Sequence, residues 1–588
     1  MDSKHVTEST SGQEDIQKTW WKEAIIYQIY PRSFQDSDGD GIGDLNGITS
    51  RLDYIQSLGV DIIWLNPIFL SPNDDNGYDI SDYREIMREF GTMEDFDRLL
   101  KEIHKREMRL VLDLVVNHTS DEHPWFEEAR KSRHNPYYNY YHWWPAEKGE
   151  PPLRLSYFDE EGNAWMYNKP TDSYYLHYFS RKQPDLNWEN PEVRQEIFDM
   201  MRFWFDKGID GFRMDSISLI AKDPSFPLID SKKYPDIFSF YAKEPRLHLY
   251  LHEMNRQVLS KYDCMSVGEG SAVMVDDVAK FVDPAREELN MLYHFDAARI
   301  RNTTLPDNPE SGIDYSLIAL KKMFTEWDKA IDKGWPSIYL GNHDQPRMVS
   351  RFGSDKDEFR ALSAKMLITF LLTMRGTPYW FAGDEIGMRN IRFDRIEDYN
   401  DIDTINRYKK AKAEGKDPQA VLDEQKETGR DNARTPFQWD RSPEAGFTAG
   451  TPWLKVNPDY TWINVADEEK DPTSILNYFK EVVSFRKENP SLIYGSYHLL
   501  DAENPQSYTF LRKTGADTYL IMLNFSHKAA ISTPGIDMSN THVLLDNYGD
   551  RSHMAPQKDI TLRPFEAIVF QLNHPVYESF IDSLDLLE

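Results

Sequence analysis

The chain has 588 residues, of which 40% are hydrophobic and 13% aromatic, so it folds around a large core and is not a disordered protein. Lysine and arginine total 68 against 98 aspartates and glutamates, which gives a net charge of −30. This acidity argues against nucleic acid and anionic membranes as partners, and the length predicts two or three domains.

The N-terminal segment and the cysteine content indicate the compartment. Residues 1–14 are polar and acidic, so the sequence predicts neither a signal peptide nor a membrane anchor. The single cysteine, Cys264, cannot form an internal disulfide, which fits a reducing environment. We therefore expect a cytoplasmic protein, and nothing in the sequence selects between a monomer and a dimer.

Strands and helices alternate regularly from residue 24 onward. Apolar runs predict strands over residues 25–30, 60–65 and 109–116. The third run is apolar almost throughout, as is typical of a parallel strand that is buried on both faces. Helical spacing of apolar residues predicts a helix before the second strand and another over residues 93–105.

The alternation breaks between residues 117 and 187, which are rich in proline, glycine and aromatic residues. An inserted domain explains this stretch better than one long loop. A helix with an N-cap and a proline at its first position then begins at Asn190–Pro191. Further strands are predicted over residues 210–215, 265–269, 291–295, 337–341 and 377–381. Three strands before the insertion and five after it, alternating with helices, predict an α/β fold, the (β/α)8 TIM barrel.

The remainder of the chain has a different texture. Residues 392–440 are charged and predicted to be irregular, and a closing helix is predicted over residues 474–487. Short strands with turn signals follow residue 496 and predict a C-terminal all-β sandwich. The predicted division is therefore a polar extension (1–19), the barrel (20–116 and 188–495), the inserted domain (117–187) and the C-terminal β domain (496–588).

Acidic residues and histidines are predicted at four strand ends of the barrel. In such barrels the active site lies at the C-terminal ends of the strands. Asp215 ends the fourth strand, and Arg213 shares its face because side chains alternate along a strand. Taken alone, this pair is equally well explained as a structural ion pair. The other candidates at strand ends are Asp113, Asn117, His118, Glu269, Asn342, His343 and Asp344.

Paired carboxylates that flank a bond are suited to cleaving an acetal. One must be ionised and the other protonated, so their surroundings must separate their pKa values. Asp215 beside Arg213 fits the ionised role. Glu269 has no basic residue among its sequence neighbours, which fits the proton donor.

A second candidate site is the acidic loop of residues 36–44. Oxygen ligands at alternating positions, separated by glycines, are typical of a loop that wraps a hard cation. The loop differs from the helix-loop-helix calcium motif, because Gly47 stands where that motif has a bidentate glutamate. We expect a structural Ca²⁺, with Mg²⁺ as the alternative. The predicted ligands are Asp36, Asp38, Asp40, the Ile42 carbonyl and Asp44.

Several ordered motifs make the chain resemble glycoside hydrolase family 13, the α-amylase family. They are DLVVNH (residues 113–118), GFRMD (211–215), VGE (267–269) and GNHD (341–344), with QPDLN (183–187) in the insertion. The resemblance extends from about residue 20 to residue 572. It is greatest to bacterial oligo-1,6-glucosidases and their α-glucosidase relatives.

The resemblance implies a role for each matching residue. Asp215 would be the nucleophile, Glu269 the general acid/base, and Asp344 a third carboxylate that holds sugar hydroxyls. Arg430 would close the pocket, with Arg434 as the alternative arginine. The other residues implied in substrate binding are Tyr78, Asp79, His118, Arg213 and His343.

The implied activity is that of a retaining, exo-acting α-glucosidase on short oligosaccharides, with isomaltose-type α-1,6 bonds favoured. Family members carry valine after the nucleophile in many α-1,6 enzymes and alanine or threonine in α-1,4 enzymes, and Ser216 fits neither pattern. An α-1,4-glucosidase, a sucrose isomerase and a sucrose- or trehalose-cleaving enzyme therefore stay open. A non-catalytic sugar-binding relative is disfavoured, because all three carboxylates are present.

Overall fold

Eight parallel strands form the central sheet of the computed structural model, which describes residues 18–158, 162–234, 236–515, 517–538, 541–551 and 558–572. The predicted polar extension lies outside the described residues up to residue 17. In chain order, the barrel strands are β1 (Ile26–Ile29), β2 (Ile62–Leu65), β3 (Arg109–Val115), β4 (Gly211–Asp215), β5 (Met265–Glu269), β6 (Met291–Tyr293), β7 (Ser337–Ile338) and β8 (Thr377–Phe381).

The sheet closes into a barrel between β6 and β7. Its hydrogen-bonded order is β6-β5-β4-β3-β2-β1-β8-β7, which leaves these two strands at the ends. Ser337 Oγ donates to the Leu292 carbonyl at 3.0 Å, and the Tyr339 hydroxyl donates to the His294 carbonyl at 2.6 Å. Both strands are shorter than predicted, since side-chain bonds replace the backbone ladder here. The structure confirms the predicted (β/α)8 barrel.

Apolar side chains fill the barrel interior below the strand ends. Alternation along each strand sends one set inward and the other against the surrounding helices. The inward set includes Ile26, Ile62, Trp64, Val111, Met265, Val267, Met291 and Tyr379. The main surrounding helices are Leu45–Ser50, Leu52–Ser57, Met93–Lys105, Pro191–Lys207, Arg246–Gln257, Leu317–Ala330, Arg360–Thr373 and Ile475–Glu488.

Residues 392–440 are largely helical, so the prediction of an irregular segment is wrong. They contain the helices Ile402–Ala413 and Pro418–Thr428. Each begins at an aspartate whose side chain accepts a backbone N–H, Asp401 in the first and Asp417 in the second. These N-caps satisfy donors that the first turn leaves unpaired, so polar helices form beside the barrel mouth.

Smaller antiparallel sheets flank the barrel in the insertion and in the C-terminal region. The insertion after β3 carries a three-stranded antiparallel sheet of Trp143–Pro145, Ser173–Leu176 and Trp165–Asn168. The C-terminal region has a five-stranded antiparallel sheet, in spatial order Ser496–Leu500, Ser507–Thr514, Asp517–Asn524, Ala567–Leu572 and Thr541–Asp546. It also has a two-stranded sheet of Ala530–Ser532 and Ile560–Leu562.

Within the described ranges, every helix is too short or too polar to cross a bilayer.

Candidate active site

Arg213 is the centre of the charged cluster at the C-terminal ends of the strands. Its side chain is fully buried, and its Nη1 lies 2.7 Å from both Asp113 Oδ1 and Asp215 Oδ1. Its Nη2 contacts Glu269 Oε2, and its Nε donates to the Tyr293 hydroxyl at 2.8 Å. The prediction that Arg213 and Asp215 share a face is confirmed. One guanidinium therefore contacts three carboxyl groups that come from three different strands.

Glu269 has a basic partner in space, although it has none in sequence. The strand pairing aligns Val267 on β5 with Arg213 on β4, so both side chains point into the barrel. Arg213 therefore reaches Glu269 as well as Asp215. The lack of a basic residue among its sequence neighbours therefore does not explain why Glu269 is protonated, and its raised pKa has another cause.

Burial separates the pKa values of the two carboxyl groups. Desolvation raises the pKa of Glu269 to about 8; Arg213 opposes this, and the charges of Asp215 and Asp344 add to it. Desolvation also raises the pKa of Asp215, to about 6, with Arg213 opposing it. At neutral pH Glu269 therefore holds a proton while Asp215 is mostly ionised. Burial outweighs Arg213 at Asp215, yet Asp215 stays mostly ionised at neutral pH, as the ionised role requires.

The rings of Tyr78 and His343 stack on each other beside Asp215 and Glu269. Their rings lie 5.3 Å apart and 7° from parallel. The Tyr78 hydroxyl donates to Asp113 Oδ2 at 2.9 Å and lies 2.6 Å from His343 Nε2. Gln28 Nε2 lies 2.8 Å from His343 Nδ1. A neutral ring with its hydrogen on Nε2 satisfies these contacts, because Nε2 then donates and Nδ1 accepts.

Asp344 lies in a more positive part of the site. Its Oδ1 accepts from Arg434 at 2.9 Å and from Arg430 at 3.3 Å, and its Oδ2 lies 3.1 Å from His343 Nε2. Burial favours a raised pKa for Asp344, but His343, Arg430 and Arg434 outweigh it and hold the pKa well below its usual range. Burial lowers the pKa of His343 to about 3, so at neutral pH the two arginines supply the positive charge. Asp344 is thus an ionised acceptor.

The two candidate arginines, Arg430 and Arg434, both contact Asp344, so both belong to the site. Arg430 Nε donates to Asp401 Oδ1 at 2.7 Å, and its guanidinium lies 4.8 Å from the Phe158 ring centre. Arg434 is buried, and its Nε donates to the His343 carbonyl at 2.9 Å. Arg430 therefore lies towards the insertion, while Arg434 supports the chain that carries Asp344.

His118 is placed beside the sugar-binding candidates but faces the backbone. Its Nε2 lies 3.1 Å from the Tyr78 carbonyl and 3.2 Å from Gln183 Nε2. Burial lowers its pKa to about 3, so the ring is neutral. His118 thus links the loop that carries Tyr78 to the insertion.

Asp79 does not face the site, and the assignment of this residue to substrate binding is corrected here. Its carboxylate accepts the Ser71 hydroxyl at 3.0 Å and the backbone N–H groups of Asp74 at 2.8 Å and Asp75 at 3.0 Å. It is fully buried. Asp79 therefore holds the loop of residues 71–79 closed upon itself.

Asp75 is the acidic residue of this loop that reaches the site, and the sequence reading missed it. Its Oδ2 accepts from Gln183 Nε2 at 3.1 Å, while its Oδ1 lies 3.6 Å from Arg430 Nη2. Among the described residues, this Oδ1 has no hydrogen-bond partner although it is buried. Burial raises the pKa of Asp75 to about 7, with Arg430 and Arg434 opposing. A buried, unpaired acceptor beside Asp344 and Arg430 is suited to a ligand hydroxyl.

The acidic loop groups three of its five predicted ligands. Asp36, Asp38 and Asp40 each place a carboxylate oxygen within 4.8 Å of the others, which fits a single hard cation. Asp44 is engaged differently, because its side chain caps the helix Leu45–Ser50 by accepting the Gly47 N–H at 2.7 Å. The Ile42 N–H donates to Asp40 Oδ1 at 2.8 Å, which keeps the loop tightly curled.

Comparison with known proteins gives one consistent result. The family model described as the alpha amylase catalytic domain matches residues 28–495. The chain is 51% identical over 571 residues to an oligo-1,6-glucosidase of Parageobacillus thermoglucosidasius, covering 95% of this chain and 100% of that relative. It is 49% identical to an oligo-1,6-glucosidase of Bacillus cereus, with coverages of 95% and 100%. The solved trehalulose synthase from Pseudomonas mesoacidophila MX-45 matches with a TM-score of 0.89 and 42% identity, covering 94% of this chain and 99% of that one.

Proposed function

The chain belongs to the α-amylase family of glycoside hydrolases, and we propose that it is a retaining, exo-acting α-glucosidase. It releases glucose from the non-reducing end of short oligosaccharides, and isomaltose-type α-1,6 bonds are its preferred substrates. The observation that carries this proposal is the carboxyl pair of Asp215 and Glu269 at the ends of β4 and β5, which share the Arg213 guanidinium. Burial raises both pKa values, and it raises that of Glu269 further, so the two groups fit the ionised and the protonated role.

The reaction takes two steps at this pair. Asp215 attacks the anomeric carbon while the Glu269 proton passes to the glycosidic oxygen, so the carbon–oxygen bond breaks as the carbon–carboxylate bond forms. Water then attacks the same carbon and gives its proton to Glu269, and the bond to Asp215 breaks. Each attack inverts the anomeric carbon, so the glucose released keeps the α configuration.

The charged residues around the pair support exo action on a neutral sugar. Asp344, Arg430 and Asp75 surround the side of the site that faces the insertion. Carboxyl oxygens and guanidinium groups at this position bind the hydroxyls of one terminal glucose unit. Tyr78 stacked on His343 supplies the flat wall that a sugar ring packs against.

The linkage preference rests on the relatives. Two relatives that are 51% and 49% identical to this chain are named oligo-1,6-glucosidases, which supports a preference for α-1,6 bonds. Ser216 leaves the α-1,4 alternative in place. Sucrose isomerisation is the second alternative, because the trehalulose synthase match covers nearly the whole chain.

A side-by-side assay tests the proposal. Glucose release is measured from isomaltose, maltose, sucrose, trehalose and a short dextran, with formation of sucrose isomers followed in parallel. We expect the highest kcat/KM for isomaltose, and we expect Asp215→Asn to abolish turnover at an unchanged melting temperature. Isomers as the main product from sucrose would identify the isomerase alternative, and an active Asp215→Asn variant would contradict the assigned nucleophile.

We also propose a structural Ca²⁺ in the acidic loop, held by Asp36, Asp38 and Asp40, with Mg²⁺ as the alternative ion. Three carboxylates within 4.8 Å of one another support it, since their repulsion is relieved by a cation. A cytoplasmic location is a further proposal that rests on the single cysteine.

A further inference from the structure

Ser271 contacts the candidate acid/base directly. Its hydroxyl donates to Glu269 Oε1 at 2.9 Å. The other carboxyl oxygen, Oε2, faces Arg213 Nη2, the Ser216 N–H at 3.3 Å and the Tyr293 hydroxyl at 3.4 Å. The two oxygens of Glu269 are therefore unequal, because three donors surround Oε2, whereas among the described residues the donor to Oε1 is the serine hydroxyl. The Glu269 carboxyl group also forms a hydrogen bond with Asp215.

The loop that carries Ser271 is fixed on both sides. Ser218 Oγ donates to the Ser271 carbonyl at 2.5 Å, which ties the loop after β5 to the turn after β4. The Gly270 N–H donates to the Tyr293 carbonyl at 2.8 Å. A Cβ at Gly270 would lie 2.9 Å from that carbonyl oxygen, so only glycine allows this close approach. The Ser271 hydroxyl is thus held in place before substrate arrives.

We propose that Ser271 is a positioning residue for the acid/base: it holds Glu269 so that Oε1 carries the transferable proton, and it stabilises the carboxylate left behind. This deepens the proposed function and rests on it. An Oε2 surrounded by donors is the poorer place for a proton, so the proton occupies Oε1. When that proton leaves, the bond from Ser271 becomes charge-assisted and therefore stronger.

Stabilisation that appears only as the proton leaves lowers the barrier selectively. A sugar leaving group needs the proton, whereas 4-nitrophenolate leaves without it. Loss of the Ser271 hydroxyl should therefore slow isomaltose cleavage more than cleavage of 4-nitrophenyl α-glucoside. It should also move the alkaline limb of the pH profile upward, because removing a donor disfavours the ionised carboxylate.

Other charged groups face Glu269 and are unchanged by a substitution at Ser271. They come from neighbouring strands, the segment after β7 and the insertion, so the expected shift belongs to the serine alone. These charged or titratable groups are Asp113, Tyr157, Arg213, Asp215, Tyr293, Tyr339 and Asp344.

The test compares Ser271→Val with Ser271→Thr, which have the same shape and differ in the hydroxyl. Ser271→Ala is added because it cannot clash, and Ser266→Ala removes a hydroxyl from β5 that contacts Asn290 instead. For Ser271→Val and Ser271→Ala, we expect kcat/KM on isomaltose to fall about tenfold and kcat/KM on 4-nitrophenyl α-glucoside to fall less than about threefold. The alkaline limb should rise by about 0.5–1 pH unit. Ser271→Thr and Ser266→Ala should both keep the wild-type ratio of kcat/KM on isomaltose to kcat/KM on 4-nitrophenyl α-glucoside.

Equal losses on the two substrates, an unmoved alkaline limb, or a threonine variant as impaired as valine would overturn the inference. Failure of the proposed function gives a different result, because wild-type protein would then release no glucose from isomaltose, whether or not it cleaves 4-nitrophenyl α-glucoside. The melting temperature of each variant is recorded, and the substrate ratio is independent of the amount of folded protein.

Discussion

Glu269 and Asp215 share one guanidinium yet differ in pKa, and this difference predicts the pH dependence of the enzyme. Activity should rise with pH as Asp215 loses its proton near pH 6 and fall as Glu269 loses its proton near pH 8. The two values describe the interacting pair. The profile of kcat/KM on isomaltose measures both limbs. An alkaline limb below pH 7 would contradict the account, because Glu269 would then be ionised under working conditions.

Asp75 and Asp79 make a matched pair in one loop with opposite expected effects. Asp75→Asn should lower kcat/KM by about 10- to 100-fold at an unchanged melting temperature, because it replaces the carboxyl group that faces the site and Arg430 with an amide. Asp79→Ala should instead destabilise the fold by about 1–3 kcal/mol, because it leaves buried donors of the loop unpaired.

Steady-state kinetics and thermal unfolding of both variants separate these roles. The reverse pattern, with Asp79→Ala folded but inactive and Asp75→Asn fully active, would restore the assignment made from sequence.

The sequence identifies strand-end residues better than loop residues, for a physical reason. Alternation places Arg213 and Asp215 on one face, and the structure has them there. In the loop of residues 71–79, turn geometry decides which carboxylate turns inward, and no periodicity reports it. The contact of Arg213 with Glu269 depends on strand pairing, which joins residues that are distant in the chain. The contacts of this loop and of Arg213 with Glu269 could be identified only from the structure.

The acidic loop predicts a response to chelation at the scale of a single element. If a cation is bound by Asp36, Asp38 and Asp40, EDTA should lower the melting temperature, because a ligand bound only by the folded state stabilises it. Added Ca²⁺ should restore it. The double variant Asp38→Asn/Asp40→Asn should lose this response while keeping kcat/KM. Equal melting of wild-type protein with and without EDTA would remove the cation from the account.

Helices and strands with strong local signals are predicted well. The helix Pro191–Lys207 has an asparagine N-cap, a proline at its first position and Gly208 at its end, and all three are used in the structure. The helices Ile402–Ala413 and Pro418–Thr428 were missed because their surfaces are polar. Aspartate caps before them were the available signal. The high charge of residues 392–440 obscured the helix signals that these two caps provide.

The barrel as a whole could be predicted because parallel strands are buried on both faces. Such strands appear as mainly apolar runs, and the eight strands predicted from these runs and their alternation with helices are the eight of the barrel. The attachment of the C-terminal sheet could not be read in this way. It includes buried Lys321, whose Nζ donates to the carbonyls of Asp501, Asn504 and Ser507 at 3.0, 2.8 and 3.2 Å. No sequence pattern predicts that a buried lysine will donate to backbone carbonyls of another domain.

The anomer of the first glucose released tests the central claim most directly. Proton NMR of fresh wild-type reactions on isomaltose resolves the α and β anomers before they interconvert. The two-step mechanism at Asp215 and Glu269 predicts α-glucose first, with β-glucose appearing only as the solution equilibrates. If β-glucose is released first, a single displacement by water has occurred, and Asp215 is not the nucleophile.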